Sequence, residues 1–172
     1  MIEKNQITGA YQMSDERAIQ QVLAKYVRAA DALDGASLSS LFTEDGKVEI
    51  YSFNSGNPVQ LFVLTGKEEI ANAISNLMKP HPVRGWSHHT THDHIISVNG
   101  EEAFMDAQFI RFDCVGACRP ERGWQAGTLG LMGTITPTES GYYKPSLIKT
   151  NGEWKITSHR IYHDMTFVIP GQ

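Results

Sequence analysis

Near residue 85 the hydrophobic pattern changes its period, and that change limits the available folds more than any other feature of the chain. Before it, apolar residues recur at steps of three and four; after it, they alternate. The first step marks one face of a helix and the second one face of a strand. Ser14 is placed as an N-cap, followed by Asp15, Glu16 and Arg17 in a first turn. Ile19, Val22, Leu23, Tyr26, Val27, Ala30 and Leu33 then predict an amphipathic helix that Gly35 ends. Ser37 can cap a short second helix with Leu38, Leu41 and Phe42. Two strands, 47–53 and 60–65, flank a loop at 54–58. Gly66 opens a third helix carrying Ile70, Ala73, Ile74, Leu77 and Met78, and Pro80 and Pro82 stop it.

Beyond the change, strands are expected at 86–98, 103–115, 128–136, 141–150 and 154–167. Asn99-Gly100 and Asn151-Gly152 are tight-hairpin signals between them. Helices first and a meander of long strands last predict an α+β fold. In it, N-terminal helices pack on a strongly curved antiparallel sheet, which forms a cone-shaped barrel with one apolar pocket at its open end. The 172 residues suit one domain, here 14–172, after an N-terminal extension at 1–13.

Charge and composition exclude several classes of partner. The net charge is −4 with no basic run, which argues against nucleic acid. No apolar stretch approaches membrane-spanning length, and the N-terminus lacks the apolar core of a signal peptide. Cys114 and Cys118 make no disulfide framework and fit a reducing, cytoplasmic setting.

The chemistry concentrates in SHHTTHDH, residues 87–94, with four histidines and an aspartate. Alternate side chains of a strand share a face. Ile96 and Val98 assign His88, Thr90, His92 and His94 to the inner face, and His89 and Asp93 to the outer. The split prevents the five ligand-type side chains from acting together. The sequence offers no HExxH-type companion, so neither metal nor cofactor is expected. On the first helix, Asp31 follows Leu23 and Val27 along the edge of the apolar stripe. A carboxylate there is costly to bury unless paired. An inward histidine would pair it. The carboxylate would then fix the imidazole tautomer and leave a competent general base. Trp86, Phe104, Phe109, Met132 and Tyr143 are expected in walls and core, and Arg111 on the outer face. His159 and His163, four apart on the last strand, are expected exposed or at an interface.

Three segments carry a resemblance. YVRAADALDGASLSSLFTEDGKVEI resembles the opening of SnoaL-like proteins of the nuclear-transport-factor-2-like superfamily. HHTTHDHIISVNGEEA is similar to that family's central strand, and GYYKPSLIKTNGEWKITSHRIYHD to its closing hairpin. The likeness spans roughly residues 14–166. The superfamily includes scytalone dehydratase, dehydrochlorinase, bile-acid dehydratase, polyketide cyclases and ketosteroid isomerase, beside proteins without a reaction. The resemblance therefore implies a cofactor-independent lyase or isomerase acting on a small, largely apolar, oxygenated or cyclic substrate. It implies Asp31 and His88 as the base pair and Tyr26 as the group that polarises a substrate oxygen. His92, Trp86, Phe109, Met132 and Tyr143 would contact the substrate; relatives often carry Asn where this chain has His92. A homodimer packed sheet to sheet is also implied. The alternatives are a non-catalytic binding or assembly domain of the same fold, or a polyketide-type cyclase.

Overall fold

The computed structural model describes residues 13–53 and 56–166. Met13 apart, the expected N-terminal extension lies outside them, as does Phe167 at the end of the last expected strand. Helix α1, Asp15–Asp31, begins where the sequence places it: the Ser14 hydroxyl accepts the Arg17 N–H at 3.3 Å. It ends earlier than Gly35. Leu33 takes a left-handed φ of 54°, and Asp34 caps helix α2, Gly35–Ser39, by accepting from the Ser37 N–H. Gly35 thus opens α2 instead of closing α1. Its small size serves packing, because a Cβ there would lie 2.1 Å from the Ala71 carbonyl oxygen on α3, Lys67–Asn72. A single π-helical turn, Ala73–Leu77, follows α3. The extra residue in that turn rotates the stripe, so Leu77 is exposed instead of sharing the buried face with Ile70.

Six strands follow the order β2-β1-β6-β5-β4-β3. They are β1 Phe42–Ser52, β2 Val59–Thr65, β3 Gly85–Asn99, β4 Glu102–Gly116, β5 Gly133–Thr150 and β6 Glu153–His163. The two strands expected at 128–136 and 141–150 are one continuous strand, β5, starting at Gly133. All pairings are antiparallel except β1 with β6, which is parallel, so the sheet is mixed. These two strands are far apart in the chain, and no tight turn dictates their direction. The sheet curls into the expected cone without closing, with β2 and β3 as its edges.

The core lies between α1 and the concave face. Ile19, Leu23 and Val27 from α1, Leu38 from α2, and Met105, Phe109 and Ile156 from the sheet are all buried there. No helix among the described residues is long and apolar enough to cross a membrane.

Candidate active site

The face of β3 that meets α1 is set by a bulge. Gln108 stands opposite His92 and Asp106 opposite Ile95, so Asp93 and His94 together oppose Ala107. Asp93 takes a φ of 52° to make the extra step. Two residues against one reverse the alternation. Ser87, His89 and Thr91 point inward before the bulge, and Ile96 packs on the core after it. Ile96 and Val98 therefore report the parity of the far half only. His88 and His92 lie on the outer side, where His92 pairs with Asp93 at 3.0 Å. The expected Asp31–His88 contact is absent, and His89 occupies its place.

Asp31, the last residue of α1, is buried and fully engaged. Its Oδ1 accepts from His89 Nδ1 at 2.7 Å and from the Ser87 hydroxyl at 3.0 Å. Its Oδ2 accepts the His89 backbone N–H at 2.9 Å. The same strand thus fixes both carboxylate oxygens. Burial pushes the Asp31 carboxyl up, but the His89 ring, the His89 N–H and the Ser87 hydroxyl outweigh it and hold the group below its usual range. The helix end is held as well: His81 Nε2 donates to the Asp31 carbonyl at 2.7 Å, and the His81 ring stacks on Trp86 at 4.7 Å. This pairing commits His89 Nδ1 as donor and leaves Nε2, on the far side of the ring, as the basic nitrogen.

Directly opposed residues of antiparallel strands share a face, so the register defines the wall around His89. One row runs His89–Arg111–Glu139 and the next Thr91–Phe109–Gly141–His163. Phe109 stacks on Tyr143 at 4.1 Å between ring centres, and both rings lie near His89, at 6.2 and 6.5 Å. Tyr26 packs edge-on against Tyr143 at 5.9 Å and against His159 at 4.5 Å. Tyr143 is the ring that touches both Tyr26 and His89. Burial raises both tyrosine hydroxyls well above their usual range, so each stays protonated.

Other expected positions change. Trp86 is exposed beyond its stack on His81, and Met132 is exposed in the loop before β5. Phe104 faces outward beneath the Arg160 guanidinium. Arg111 points inward and pairs with Glu139 and Asp113. His159 and His163 are buried, because β6 turns its odd-numbered residues to the core at that point. Phe109 and Tyr143 are at the wall as expected. Sequence reasoning missed Ser87 and Glu139, turned His89 to the outer face, and expected His163 exposed or interfacial, with the pocket mouth as the alternative. Among the described residues, no three His, Cys, Asp or Glu side chains converge as metal ligands do. A groove of about 490 Å³ lies away from the dyad, among Ser97, Phe104, Ser146, Ile148 and Thr157, and holds no acid–base pair.

A family model for the SnoaL-like domain matches residues 12–160. No curated protein matches the chain. Many solved structures share its fold. An NTF2-like protein with a cystatin-like fold from Novosphingobium aromaticivorans is 20% identical, with a TM-score of 0.63 over 92% of this chain and 84% of that one. A protein from the same organism, provisionally named a scytalone dehydratase, is 20% identical, with a TM-score of 0.62 over 92% and 94%. The β subunit of a provisionally named aromatic-ring-hydroxylating dioxygenase, also from that organism, is 17% identical, with a TM-score of 0.64 over 88% and 90%. With its cone of six strands, its helix-borne aspartate against the third strand and a family match over most of its length, the chain belongs to the SnoaL-like domain family.

Proposed function

We propose that the protein is a cofactor-independent lyase or isomerase, dehydratase-like, that removes a proton beside an activating oxygen function. The observation that carries this reading is the buried Asp31–His89 pair, with His89 Nδ1 at 2.7 Å from the carboxylate. The catalytic histidine of this reading is His89 in place of His88. Its Nε2 takes the proton, and Asp31 stabilises the imidazolium that forms. The neutral hydroxyl of Tyr143 is a hydrogen-bond donor for charge developing on the substrate oxygen, with Tyr26 supporting it from behind. Phe109 gives a flat apolar wall, which suits a small cyclic or largely apolar substrate. The likeness to the protein provisionally named a scytalone dehydratase agrees with this class of reaction.

The test is deuterium uptake from D2O at the α-carbon of simple cyclic ketones, followed by NMR. The wild type should accelerate exchange, and His89→Gln should lower the rate by about 10²- to 10⁴-fold. An unchanged rate in His89→Gln would sink the reading. The likeness to a dioxygenase β subunit favours a second reading, a non-catalytic binding or assembly domain. That reading expects no exchange by the wild type. In either case the outer face supports a homodimer packed sheet to sheet. Phe104 and Ile95 are exposed there, beside the open groove at Ser146 and Thr157. Sedimentation of Phe104→Glu against the wild type tests it: one species at monomer mass in both would remove the dimer.

A further inference from the structure

The hairpin of β4 and β5 runs on past the row of His89 and ends in the segment 117–132. The chain before β3 is tied to it. The Gly116 N–H donates to the Arg84 carbonyl at 3.0 Å. Arg84 answers from its side chain: Nε donates to the Gly116 carbonyl at 3.1 Å, and a terminal nitrogen reaches Cys118 Sγ at 2.8 Å. The Ala117 N–H donates to the Met132 carbonyl at 2.9 Å, which closes the segment into a loop.

Two properties set this end of the sheet apart. The first is apolar exposure. Leu129 and Leu131 are fully exposed, with Gly130 between them at a φ of 113°. Trp124 is exposed in the same loop, and Val83 beside it on the chain before β3. Trp86, Cys114 and Ile135 stand opposite one another across β3, β4 and β5, so they share a face, and Trp86 and Ile135 are exposed on it. A soluble surface scatters such side chains singly, and a cluster of them marks a contact with a partner or a membrane. The second property is charge. Segments 79–86 and 117–135 hold Lys79, Arg84, Arg119 and Arg122 against Glu121 alone, a balance of +3. The whole chain has 15 Lys and Arg against 19 Asp and Glu, so the remainder carries −7.

We propose that this end of the cone docks on an anionic lipid surface. Leu129, Leu131 and Trp124 enter the boundary between headgroups and acyl chains, and Arg119 and Arg122 meet the lipid phosphates. The charge asymmetry argues for this occupant. A second copy set end to end would bring the same positive segments together, whereas an anionic surface attracts them, by about fivefold in binding for each Lys or Arg near it. The exposure of the leucines agrees. A flat protein face covers one side of a side chain, and lipid surrounds it. Tryptophan and arginine both suit the headgroup level. The contact is made by side chains at the surface, so it needs no spanning helix. The proposal does not depend on the Asp31–His89 reading. It does set the dyad towards the bound end, because His89 opposes Arg111 of β4, five residues before Gly116. A largely apolar substrate would concentrate in the same phase.

The test pellets the full chain with vesicles of phosphatidylcholine, either alone or mixed three to one with phosphatidylglycerol. The wild type should bind the mixed vesicles about tenfold or more tightly than phosphatidylcholine alone, and salt should release it. Leu129→Ser/Leu131→Ser should weaken that binding by about tenfold or more, and Arg119→Glu/Arg122→Glu likewise. All four side chains are exposed, so both variants should keep the wild-type melting temperature. Equal binding to the two kinds of vesicle, or binding that neither pair of substitutions weakens, would overturn the proposal. No binding to the mixed vesicles would overturn it in favour of an acidic protein partner. Sedimentation without lipid addresses the remaining occupant: a wild-type assembly that Leu129→Ser/Leu131→Ser takes apart would make the patch a contact between copies and overturn the lipid assignment.

Discussion

At the C-terminal end of α1 the helix dipole presents its negative pole, and Asp31 places a carboxylate there. A carboxylate favours the opposite end of a helix, by about 0.3–1 kcal/mol at exposed sites. Burial adds to the cost. Three hydrogen bonds, from Ser87, the His89 backbone and the His89 ring, compensate. Three donors aimed at two oxygens suit a carboxylate and leave no acceptor for an amide NH2. Asp31→Asn should lower activity by about 10²- to 10⁴-fold. In the same variant, ¹⁵N shifts of His89 should change from the single Nδ1–H tautomer to a mixture, because an amide can donate to or accept from the ring. The loss of stability should stay within about 1–3 kcal/mol, the cost of disturbing one buried hydrogen-bonding group. A single tautomer surviving in Asp31→Asn would show that the carboxylate does not set it.

The strand that carries the dyad shows what a sequence discloses about an element and what it withholds. The alternation of residues 86–98 reveals a strand, and Asn99-Gly100 reveals the turn after it. The inward face is hidden, because one bulge exchanges the two faces midway and the apolar residues that mark the face lie beyond it. Asp93 is the only clue: aspartate is rare inside strands and is one of the few residues that tolerates a left-handed φ. The π turn after α3 hides Leu77 in the same way, by adding a residue to a period. Gly35 reads as a helix stop in sequence and proves to be a contact point, which no local pattern encodes. Helix α1, its cap and its buried stripe are legible because they depend on neighbours three and four residues away. Glu139 and His163 are not, because they meet only through the register of β5 and β6. The bulge gives a direct test. Asp93→Val places a β-branched residue at a φ of 52° and should cost about 1–2 kcal/mol in urea denaturation, while Asp93→Gly should cost less. Deleting Asp93 should restore simple alternation, with His89 and Ile96 then six residues apart and still both facing inward. Activity in the deletion variant should then survive if the chain folds. Equal stability for Val and Gly at this position would count against the bulge.

Acid should loosen the whole molecule through histidines buried far from water. His159 has no exposed surface and packs between Tyr26 and Tyr143, and among the described residues neither of its ring nitrogens has a hydrogen-bond partner. Burial pushes its pKa down from 6.5 to about 3. Between those values the unfolded chain binds a proton that the folded chain refuses. Stability from this group is therefore complete above pH 6.5 and is lost as pH falls towards 3, by up to about 1.4 kcal/mol per pH unit. His163, also lowered chiefly by burial, acts in the same direction. Asp31 is lowered too, from an ordinary 3.8, so its contribution disappears only below that value, as pH falls through the folded pKa. The two windows hardly overlap, which allows them to be separated. Melting temperatures of the wild type should fall steadily from pH 6.5 to 4. In His159→Leu the fall should be shallower over that range, whatever the substitution costs at neutral pH. Asp31→Asn should leave the slope between pH 6.5 and 4 as it is and flatten it only at lower pH. Parallel curves for the wild type and His159→Leu would mean that His159 is protonated or solvated in the folded state, and the packing of three rings at the base of the cone would have to be abandoned.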